Sequence, residues 1–450
     1  MKKIFLSFLF AAASWLAMEA MSVATAPGEL QRSIGDKAVS QLVVTGSLDV
    51  RDFAFIADSL TCLSSLNLSG AEIAAYSCSG NECYFGHRGR FEAGVLPRYA
   101  FFGSRLHSLV LPAGLRVVGE AAVAACEELE DIAIPETVME IGDYAFSASR
   151  LKHIALGSRV IGDGAFAGCT SLESVAIGNA VREIGNRAFA GCEALATVDV
   201  AAGSELATIG DEAFSGTALT HFNFALCPSV EKVGKWAFAG TKIASISFPR
   251  NLSEIPEGVC FGNQAAVSVA LPECAEEVGN YAFYGNSMAG NALSIPANVA
   301  YIGDNAFEDA HPASVKALPL AVPELGKEVF RGMNEDSSTP LFVAKEMIEA
   351  YKNAGQWCDF DIKDISGTIA PSVDNEVAVK ISITGSVLQI IATDNITCAN
   401  IFDEAGLLCA AIRYTGCEAS TSIAHITSPV MIVDVTLRNG ATRKLKILKH

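Results

Sequence analysis

The sequence has little positive charge and, past its first residues, no long apolar run. It holds 32 Lys and Arg residues against 50 Asp and Glu residues, which gives a formal net charge of −18. Nucleic acids and anionic membrane surfaces attract basic patches, so this balance argues against both as partners. After residue 26 no stretch reaches the roughly 18 consecutive apolar residues that a membrane-spanning helix needs, so we expect no transmembrane segment.

The residue spacings that mark common catalytic and metal sites are also missing. The 7 His residues are scattered, and neither His-Glu-Xaa-Xaa-His nor Gly-Xaa-Ser-Xaa-Gly nor a phosphate-binding loop occurs. We therefore predict a protein that is not an enzyme and that has no catalytic residues, no cofactor and no metal ion.

One hexapeptide pattern, Ile-Gly-Asp-Xaa-Ala-Phe, recurs through the middle of the chain at intervals of 20 to 25 residues. Clear copies start at Ile141, Ile161, Ile184, Ile209, Val233, Val278, Ile302 and Leu325, and weaker ones at Leu96, Val118 and Ile255. This period is typical of a leucine-rich-repeat coil, whose single turn cannot bury its apolar face alone. The sequence thus predicts a solenoid of stacked coils.

A second pattern, Leu-Xaa-Xaa-Leu-Xaa-Leu, lies upstream of the hexapeptide, as in residues 106–111. Its last two apolar residues face the same side of a short strand, so stacked coils should form a parallel sheet. In the hexapeptide we expect Gly to take a positive φ, Asp or Asn to cap a one-turn helix, and Phe to fill the core. A Gly two residues after the Phe should end that helix in the left-handed conformation. The predicted fold class is an α/β leucine-rich-repeat solenoid with short helical turns.

The residues between the buried ones of each strand must project from the exposed side of the sheet. They are mostly small and uncharged, and we predict that the partner is bound by those at His153, Thr197, Asp199, His221, Asn223, Ser245 and Ser247. His153 and His221 lie three coils apart, roughly 14 Å at ~4.8 Å per coil, which is too far to share a metal ion. Asp199 and His221 are on neighbouring coils and could meet diagonally.

Most of the 13 Cys residues follow the repeat. Those that stand three residues past the Phe position, where other repeats carry Ser or Thr, are Cys126, Cys169 and Cys192. We predict that they are small buried fillers. Because exported proteins often carry disulfides, Cys78 with Cys83 is one candidate pair and Cys409 with Cys417 is another.

The first residues predict export. Lys2 and Lys3 are followed by an apolar run over residues 4–17 and by small residues around Ala24-Thr25-Ala26, which is the pattern of a secretory signal peptide. Cleavage after Ala26 would leave Pro27 as an awkward first residue, so the exact site stays open.

The sequence divides into segments of different character. We predict a signal peptide at residues 1–26, an N-terminal cap with the first coils at 27–95 and an inserted loop at 77–92, the repeat solenoid at 96–340, a C-terminal capping segment at 341–366, and an antiparallel β-sandwich at 371–450.

These features resemble the BspA-like leucine-rich-repeat surface proteins of anaerobic bacteria, from about residue 41 to residue 365. The residues that carry the resemblance outside the repeats are Val44-Thr45-Gly46-Ser47-Leu48, Leu63-Ser64-Ser65-Leu66-Asn67-Leu68-Ser69-Gly70, Tyr351 and Trp357-Cys358-Asp359-Phe360. The sequence departs from the family at Ala344, where a proline is usual. The resemblance implies adhesion, through binding to host extracellular matrix proteins or to another cell surface.

Past residue 370 the repeat ends, and apolar stretches lie between Gly, Asn and Asp turns, which predicts a small antiparallel sandwich. The stretches are residues 377–383, 387–392, 396–402, 407–413 and 430–437. Leu388-Gln389-Ile390 and the final Lys446-Ile447-Leu448-Lys449-His450 resemble the C-terminal sorting domains of type IX secretion. A packing or spacer module is the alternative.

The sequence therefore predicts a secreted or cell-surface protein that binds a protein partner without catalysis. One alternative places binding in the inserted loop, where Tyr84 and Phe85 stand beside Arg88 and Arg90 among glycines, although this loop could instead shield the first coil as part of the cap. Another alternative is a surface glycan-binding or glycan-processing protein. Glycan cleavage would need two carboxylates roughly 5 to 9.5 Å apart in a cleft, and the exposed strand residues supply no such pair.

Overall fold

The chain folds into two compact units, Met1–Thr368 and Ile369–His450. The computed structural model describes residues 20–35, 38–263, 267–333 and 339–365 of the first unit, and residues 379–384, 387–403, 408–422, 430–437 and 442–448 of the second. Most of the predicted signal peptide, residues 1–19, lies outside the described residues.

The first strand of each coil builds a parallel sheet, as the upstream pattern predicts. These strands are β1 (Met21–Thr25), β2 (Gln41–Leu48), β3 (Ser65–Ile73), β7 (Ser108–Val110), β10 (His153–Leu156), β12 (Ser174–Ile177), β14 (Thr197–Val200), β17 (Ser245–Ser247), β19 (Ser268–Ala270), β21 (Ala292–Ile295), β23 (Ser314–Ala317), β25 (Pro340–Val343) and β26 (Asp361–Asp364). Hydrogen bonds join them into four successive groups, which end at β7, β14, β19 and β26. The coils are stacked in register, since His153 pairs with Ser174, and Ser174 with Thr197.

The apolar residue that opens each hexapeptide lies on a second, two-residue strand that the sequence pattern did not reveal. These strands are β6 (Val95–Leu96), β8 (Val117–Val118), β9 (Glu140–Ile141), β11 (Val160–Ile161), β13 (Glu183–Ile184), β15 (Thr208–Ile209), β16 (Lys232–Val233), β18 (Glu254–Ile255), β20 (Glu277–Val278), β22 (Tyr301–Ile302) and β24 (Glu324–Leu325). They form a second parallel sheet, which is interrupted between β16 and β18.

The predicted one-turn helices do not form, so the first unit is a parallel β-solenoid with little helix rather than an α/β fold. In the hexapeptide that starts at Ile141, the N–H of Ala145 donates to the carbonyl of Gly142 in the same coil, at 3.2 Å. The N–H of Tyr144 instead donates to the carbonyl of Asp163 in the next coil, at 2.8 Å. In an α-helix the N–H of residue i donates to the carbonyl of residue i−4, and neither of these two bonds follows that pattern. Tyr144 also has a φ of 55°, a left-handed conformation that interrupts a right-handed helix.

The Asp and Asn side chains of the hexapeptides bond to the next coil, so the expectation that they cap their own turn is wrong. Oδ1 of Asp143 accepts a hydrogen bond from the N–H of Asp163 at 2.9 Å. Oδ1 of Asp163 accepts from the N–H of Asn186 at 2.7 Å, and Oδ1 of Asn186 from the N–H of Asp211 at 2.8 Å. Because the turn is not helical, it has no row of free N-terminal amides that the side chain could cap. The next coil instead presents one backbone N–H within hydrogen-bond distance.

The hexapeptide glycine is required by the close approach of two coils and not, as expected, by a positive φ. A Cβ atom at Gly162 would lie 2.7 Å from the carbonyl carbon of Gly142 and 2.8 Å from the amide nitrogen of Asp143. The left-handed conformation occurs at the glycine two residues past the Phe, as predicted: Gly168 has a φ of 71°.

The hexapeptide phenylalanines form a buried stack along the solenoid, which confirms that they are core residues. The ring centroids of Phe146, Phe166, Phe189, Phe214 and Phe238 are successively 5.2, 5.3, 5.3 and 5.5 Å apart, with nearly parallel planes. In the next coil the buried residue at the core position is Cys260. The stack resumes with Phe283, Phe307 and Phe330, at 5.4 and 6.1 Å.

The described α-helices all lie near the two ends of the solenoid. They are α1 (Leu30–Ile34), α2 (Val50–Ser59) and α3 (Ile348–Lys352), and short 3-10 turns occur at Phe224–Leu226, Lys345–Met347 and Trp357–Asp359. At the first end a capping box starts α2: the Asp49 side chain accepts from the N–H of Arg51, and the Asp52 side chain accepts from the N–H of Asp49, both at 2.9 Å. At the other end the indole ring of Trp357 packs on Phe330 at 4.9 Å.

The repeat cysteines are buried fillers, as predicted. Their thiols also donate to carbonyls of the preceding coil: the Sγ atoms of Cys126, Cys169 and Cys192 lie 3.1 to 3.2 Å from the carbonyl oxygens of Phe101, Phe146 and Phe166. Cys78 and Cys83, a predicted disulfide, are both free. The side chains of Cys409 and Cys417, the other candidate pair, lie outside the described residues.

The described strands of the second unit are antiparallel and belong to a single sheet. They are β27 (Val379–Thr384), β28 (Val387–Asp403), β29 (Leu408–Ser422), β30 (Val430–Leu437) and β31 (Thr442–Leu448). Two predicted strands, 387–392 and 396–402, are one long strand whose pairing with β29 shifts register between Ile391 and Ile396. A sandwich requires a second sheet, so this domain stays a prediction.

Candidate binding surface

The exposed face of the first sheet carries two rows of side chains that cross the coils, and we refer to them together as the strip. One row consists of Asp131, His153, Ser174, Thr197, His221, Ser245 and Ser268, and the other of Ala155, Ala176, Asp199, Ser247 and Ala270. These side chains are exposed or half-buried, and they alternate with buried residues such as Ile154 and Val175. All of the predicted binding residues except Asn223 belong to the strip.

The strip is irregular at the coil that carries His221. This residue makes a single bridge with Ser245, and no ion pair joins it to Asp199 in the described structure. The side-chain oxygen of Asn223 accepts a hydrogen bond from the N–H of Ala225 at 3.1 Å and thereby caps the 3-10 turn that follows. Asn223 thus has a local structural role that the sequence did not indicate.

Asp131, His153 and Ser174 stand on three adjacent coils and are the residue types of a Ser–His–Asp triad. Oγ of Ser174 lies 2.9 Å from Nδ1 of His153. Among the described ion pairs, none joins Asp131 to His153, although a triad needs this contact to orient the imidazole ring. The N–H of Ser174 points to the carbonyl of Lys152 at 3.4 Å, so it is not free to stabilise an oxyanion. In the described residues these three side chains therefore lack the Asp–His contact of a triad.

An ion pair between neighbouring coils borders the strip. Nζ of Lys152 lies 2.6 Å from Oε2 of Glu130. The hydrogen bond from Lys152 holds the pKa of Glu130 below its ordinary value. These two charges beside the strip therefore offset each other.

The inserted loop forms a β-hairpin, in which β4 (Tyr76–Ser77) pairs with β5 (Arg90–Phe91). Oη of Tyr76 donates to Glu82 at 2.8 Å, and this bond raises the pKa of Tyr76 to about 12. The guanidinium of Arg51, in α2, lies 4.5 Å from the centroid of the Tyr76 ring. These contacts tie the hairpin to the N-terminal helix, which favours its interpretation as part of the cap.

An aromatic cluster lies on the turns that follow the second strand, away from the strip. It consists of Trp236, Phe261, Tyr281 and Tyr284, all half-buried. Ring centroids are 5.1 Å apart for Trp236 and Phe261, and 4.9 Å apart for Phe261 and Tyr284. The separation is 6.3 Å for Trp236 and Tyr281, and 6.1 Å for Tyr281 and Tyr284. The four rings form one continuous group across three coils.

An open cavity of about 910 Å³ adjoins this cluster. Tyr281 belongs to both, and the rest of the wall is mostly polar, although Phe330 and Gly332 also line it. Its polar residues include Asn305, Glu328, Arg331, Gln356 and Asp359. The volume lies in the range of about 300 to 1,000 Å³ that is usual for small-ligand sites.

Among the residues that the structure describes, no three His, Cys, Asp or Glu side chains gather as a metal site would require. No helix in the described part of the chain is both long enough and apolar enough to cross a bilayer.

Comparison with known families decides what the repeats are. The sequence model of the BspA type leucine rich repeat region matches residues 95–220 and 207–335, in 6 copies. These residues make up more than half of the chain. The chain belongs to the BspA-type leucine-rich-repeat family.

Several solved bacterial leucine-rich-repeat structures are similar to this BspA-type protein. A leucine-rich repeat protein from Bacteroides ovatus is 20% identical and covers 63% of this chain and 90% of its own, with a TM-score of 0.38. One from Eubacterium ventriosum is 15% identical and covers 67% and 72%, with a TM-score of 0.38. A leucine rich cell surface protein from Faecalibacterium prausnitzii is 18% identical and covers 64% and 80%, with a TM-score of 0.31. No curated protein matches the sequence.

The BspA-type repeat also explains why sequence analysis missed the aromatic cluster. Trp236 and Tyr281 occupy the Xaa position of the hexapeptide, and Phe261 and Tyr284 occupy the position after its last residue. Neither position has a fixed residue type, so neither contributes to the repeat pattern. A comparison of these two positions from coil to coil would have revealed adjacent aromatics on one side of the solenoid.

Proposed function

We propose that the protein is an exported, non-catalytic binding protein that holds a protein partner on the strip, at the cell surface or after secretion. Membership of the BspA-type family supports repeat-based binding outside the cell. The partner class, host extracellular matrix or another cell surface, rests on the family resemblance.

The register of the two strip rows is the observation that carries this proposal. From His153 to Ser247 the strip crosses five coils, about 19 Å at ~4.8 Å per coil. Most side chains on this face are small and protrude little from the sheet. The hydroxyls of Ser174, Thr197 and Ser245 offer both hydrogen-bond donors and acceptors. Such a surface can accept a flat partner over several coils, which is how repeat proteins commonly bind.

Substitution of a small strip residue by a large charged one tests this proposal. Ser245 is exposed on β17, so Ser245→Arg should abolish capture of extracellular matrix proteins by the full chain without lowering its melting temperature. Ser229→Arg is the matched control, because Ser229 is exposed on a turn of the neighbouring coil, off the strip. If Ser245→Arg captures partners as well as the control does, the binding surface lies elsewhere.

We further propose that the export signal ends at or before residue 20 rather than at residue 26. β1 pairs with β2 over five residues, from Met21 with Leu42 to Thr25 with Gly46, and Val23 is buried. Cleavage after Ala26 would remove this strand and uncover the edge of β2. For the second unit, we propose a role either in sorting or in packing. A secretion assay with residues 371–450 deleted distinguishes the two, because the loss of a sorting domain should block secretion and the loss of a packing module should not.

A further inference from the structure

The aromatic cluster and the adjoining cavity are exposed features that the strip does not use. We propose that together they form a second binding site, which takes a neutral oligosaccharide. The cluster lies on the turns after the second strand, whereas the strip lies on the first strand of each coil. Occupation of one site therefore does not require the other.

Trp236 is positioned by a contact with the next coil. Its ring lies against Gly258, where a Cβ atom would fall 2.3 Å from Cε3 of the indole. The ring is thereby fixed on the solenoid surface and remains half-buried. A fixed, partly exposed ring loses little conformational freedom when a ligand packs on it, which favours binding.

The continuity of the aromatic group suits a ligand with repeated apolar patches. Trp236 reaches across the coil of Gly258 to Tyr281, at 6.3 Å and with only 27° between the ring planes. The C–H faces of sugar rings pack on such aromatic surfaces through dispersion. Successive sugars of one chain could contact successive coils.

The cavity supplies groups that recognise hydroxyls. Planar amide, carboxylate and guanidinium groups bind neighbouring hydroxyls in pairs, and the wall presents Asn305, Glu328, Arg331 and Asp359. Gln356 is held rigid within the wall, since its Oε1 accepts from the N–H of Val329 at 2.8 Å.

The charge of the cavity favours a neutral ligand. Acidic and basic side chains both line it, and Arg331 pairs with Glu328 at 3.0 Å and with Glu308 at 3.4 Å. The lining holds Asp304, Glu328 and Asp359 against Lys327 and Arg331, so its acidic side chains repel an anionic ligand and its basic side chains largely offset them for a cationic one. The core of a protein interface is usually depleted of charged residues, so this wall fits a hydroxyl-rich ligand better than a protein.

Fluorescence titration of the full chain tests the proposal directly. Trp236 is half-buried and Trp357 is only 1% exposed, while the third tryptophan, Trp15, lies in the predicted signal peptide. Ligand contact should therefore quench the emission of Trp236. We expect saturable quenching, matched by calorimetry, with at least one neutral fragment from a panel of β-glucan, mannan and mucin O-glycan oligosaccharides. Tyr281→Ala should weaken that binding about tenfold, the loss of one good contact.

Tyr144→Ala is the matched control. Tyr144 occupies the same hexapeptide position, is 50% exposed and packs on Gly164 as Trp236 packs on Gly258. Tyr144→Ala should lower the stability about as much as Tyr281→Ala does, and it should leave the affinity for the oligosaccharide unchanged. Ser245→Arg on the strip should also leave this affinity unchanged. Trp236→Phe, which keeps a ring, should retain binding if the fold is intact.

Three results would overturn the proposal. One is the failure of every fragment to bind, and another is wild-type affinity in Tyr281→Ala. The third is that no oligosaccharide binds while Tyr281→Ala loses the binding of an extracellular protein partner. That result would show that this surface binds a protein.

Discussion

The indole ring of Trp236 occupies the space beside Gly258 where any other residue would place its β-carbon. Tyr144 and Gly164 repeat this relationship earlier in the solenoid, with 2.5 Å between the hypothetical Cβ atom and Cε1 of the tyrosine ring. In both pairs a large aromatic ring in one coil is accommodated by a glycine at the equivalent position of the next.

Gly258→Ala should destabilise the protein by about 2 kcal/mol, because it adds left-handed strain and displaces the indole ring. The φ of Gly258 is 58°. Gly262→Ala separates the two effects, since Gly262 has a φ of 69° but no atom within 4 Å of a Cβ. Urea denaturation should show a smaller loss for Gly262→Ala, and equal losses would mean that the contact with Trp236 contributes nothing.

Phe189→Ala should cost about 3 to 5 kcal/mol of unfolding free energy, because it opens a cavity in the middle of the aromatic stack. The ring of Phe189 lies 5.3 Å from those of both Phe166 and Phe214. Phe102→Ala is the comparison, since Phe102 is 58% exposed and its removal should change stability little. Similar denaturation midpoints for the two variants would contradict the buried stack.

Asp163→Ala should cost about 1 kcal/mol, because the N–H of Asn186 loses its hydrogen-bond acceptor in the neighbouring coil. Asp163→Asn keeps an oxygen in that place and should be nearly neutral. Amide hydrogen exchange at Asn186 is the specific measurement: it should accelerate in the alanine variant alone. Unchanged exchange would show that the bond, 2.7 Å long, does not protect this amide.

N-terminal sequencing of the exported protein should give a first residue at or before Met21. The physical reason is the pairing of β1 with β2, which needs residues 21–25. A mature chain that starts at Pro27 would contradict this prediction and would mean that the solenoid begins at β2.

The repeat positions that mostly keep one residue type could be assigned from the sequence, whereas the contacts that their side chains make could be assigned only in part. Phe146 and its equivalents were correctly placed in the core because burial requires only an apolar residue at a regular interval. The role of Asp143 was predicted wrongly, since an Asp before a short turn is equally suited to a helix cap and to a bond with the next coil. Only the stacking distance between coils distinguishes the two.

For the exposed residues too, positions that follow from the repeat period were predictable, and positions that depend on local contacts were not. The alternation that places Thr197 and Ser245 on the outer face of the sheet was predictable, because a strand has a fixed period of two. The structural role of Asn223 was not, because the strand in its coil gives way to a 3-10 turn. The aromatic cluster was missed because Trp236 and Tyr281 occupy a position that the repeat leaves variable.

The phenylalanine stack is interrupted at Cys260, and the second sheet is interrupted nearby, between β16 and β18. Backbone bonds of the turns still cross this region, such as that from the N–H of Phe238 to the carbonyl of Val259 at 2.9 Å. The ring of Phe248 also contacts Phe224 and Phe283, at 6.1 and 6.2 Å. Since stability in a solenoid is a sum of contacts between neighbours, we expect cooperativity to be weakest here. Upon denaturation the molecule is therefore expected to separate into two independently melting blocks, and an oligosaccharide that spans Trp236 and Tyr281 would join them into one.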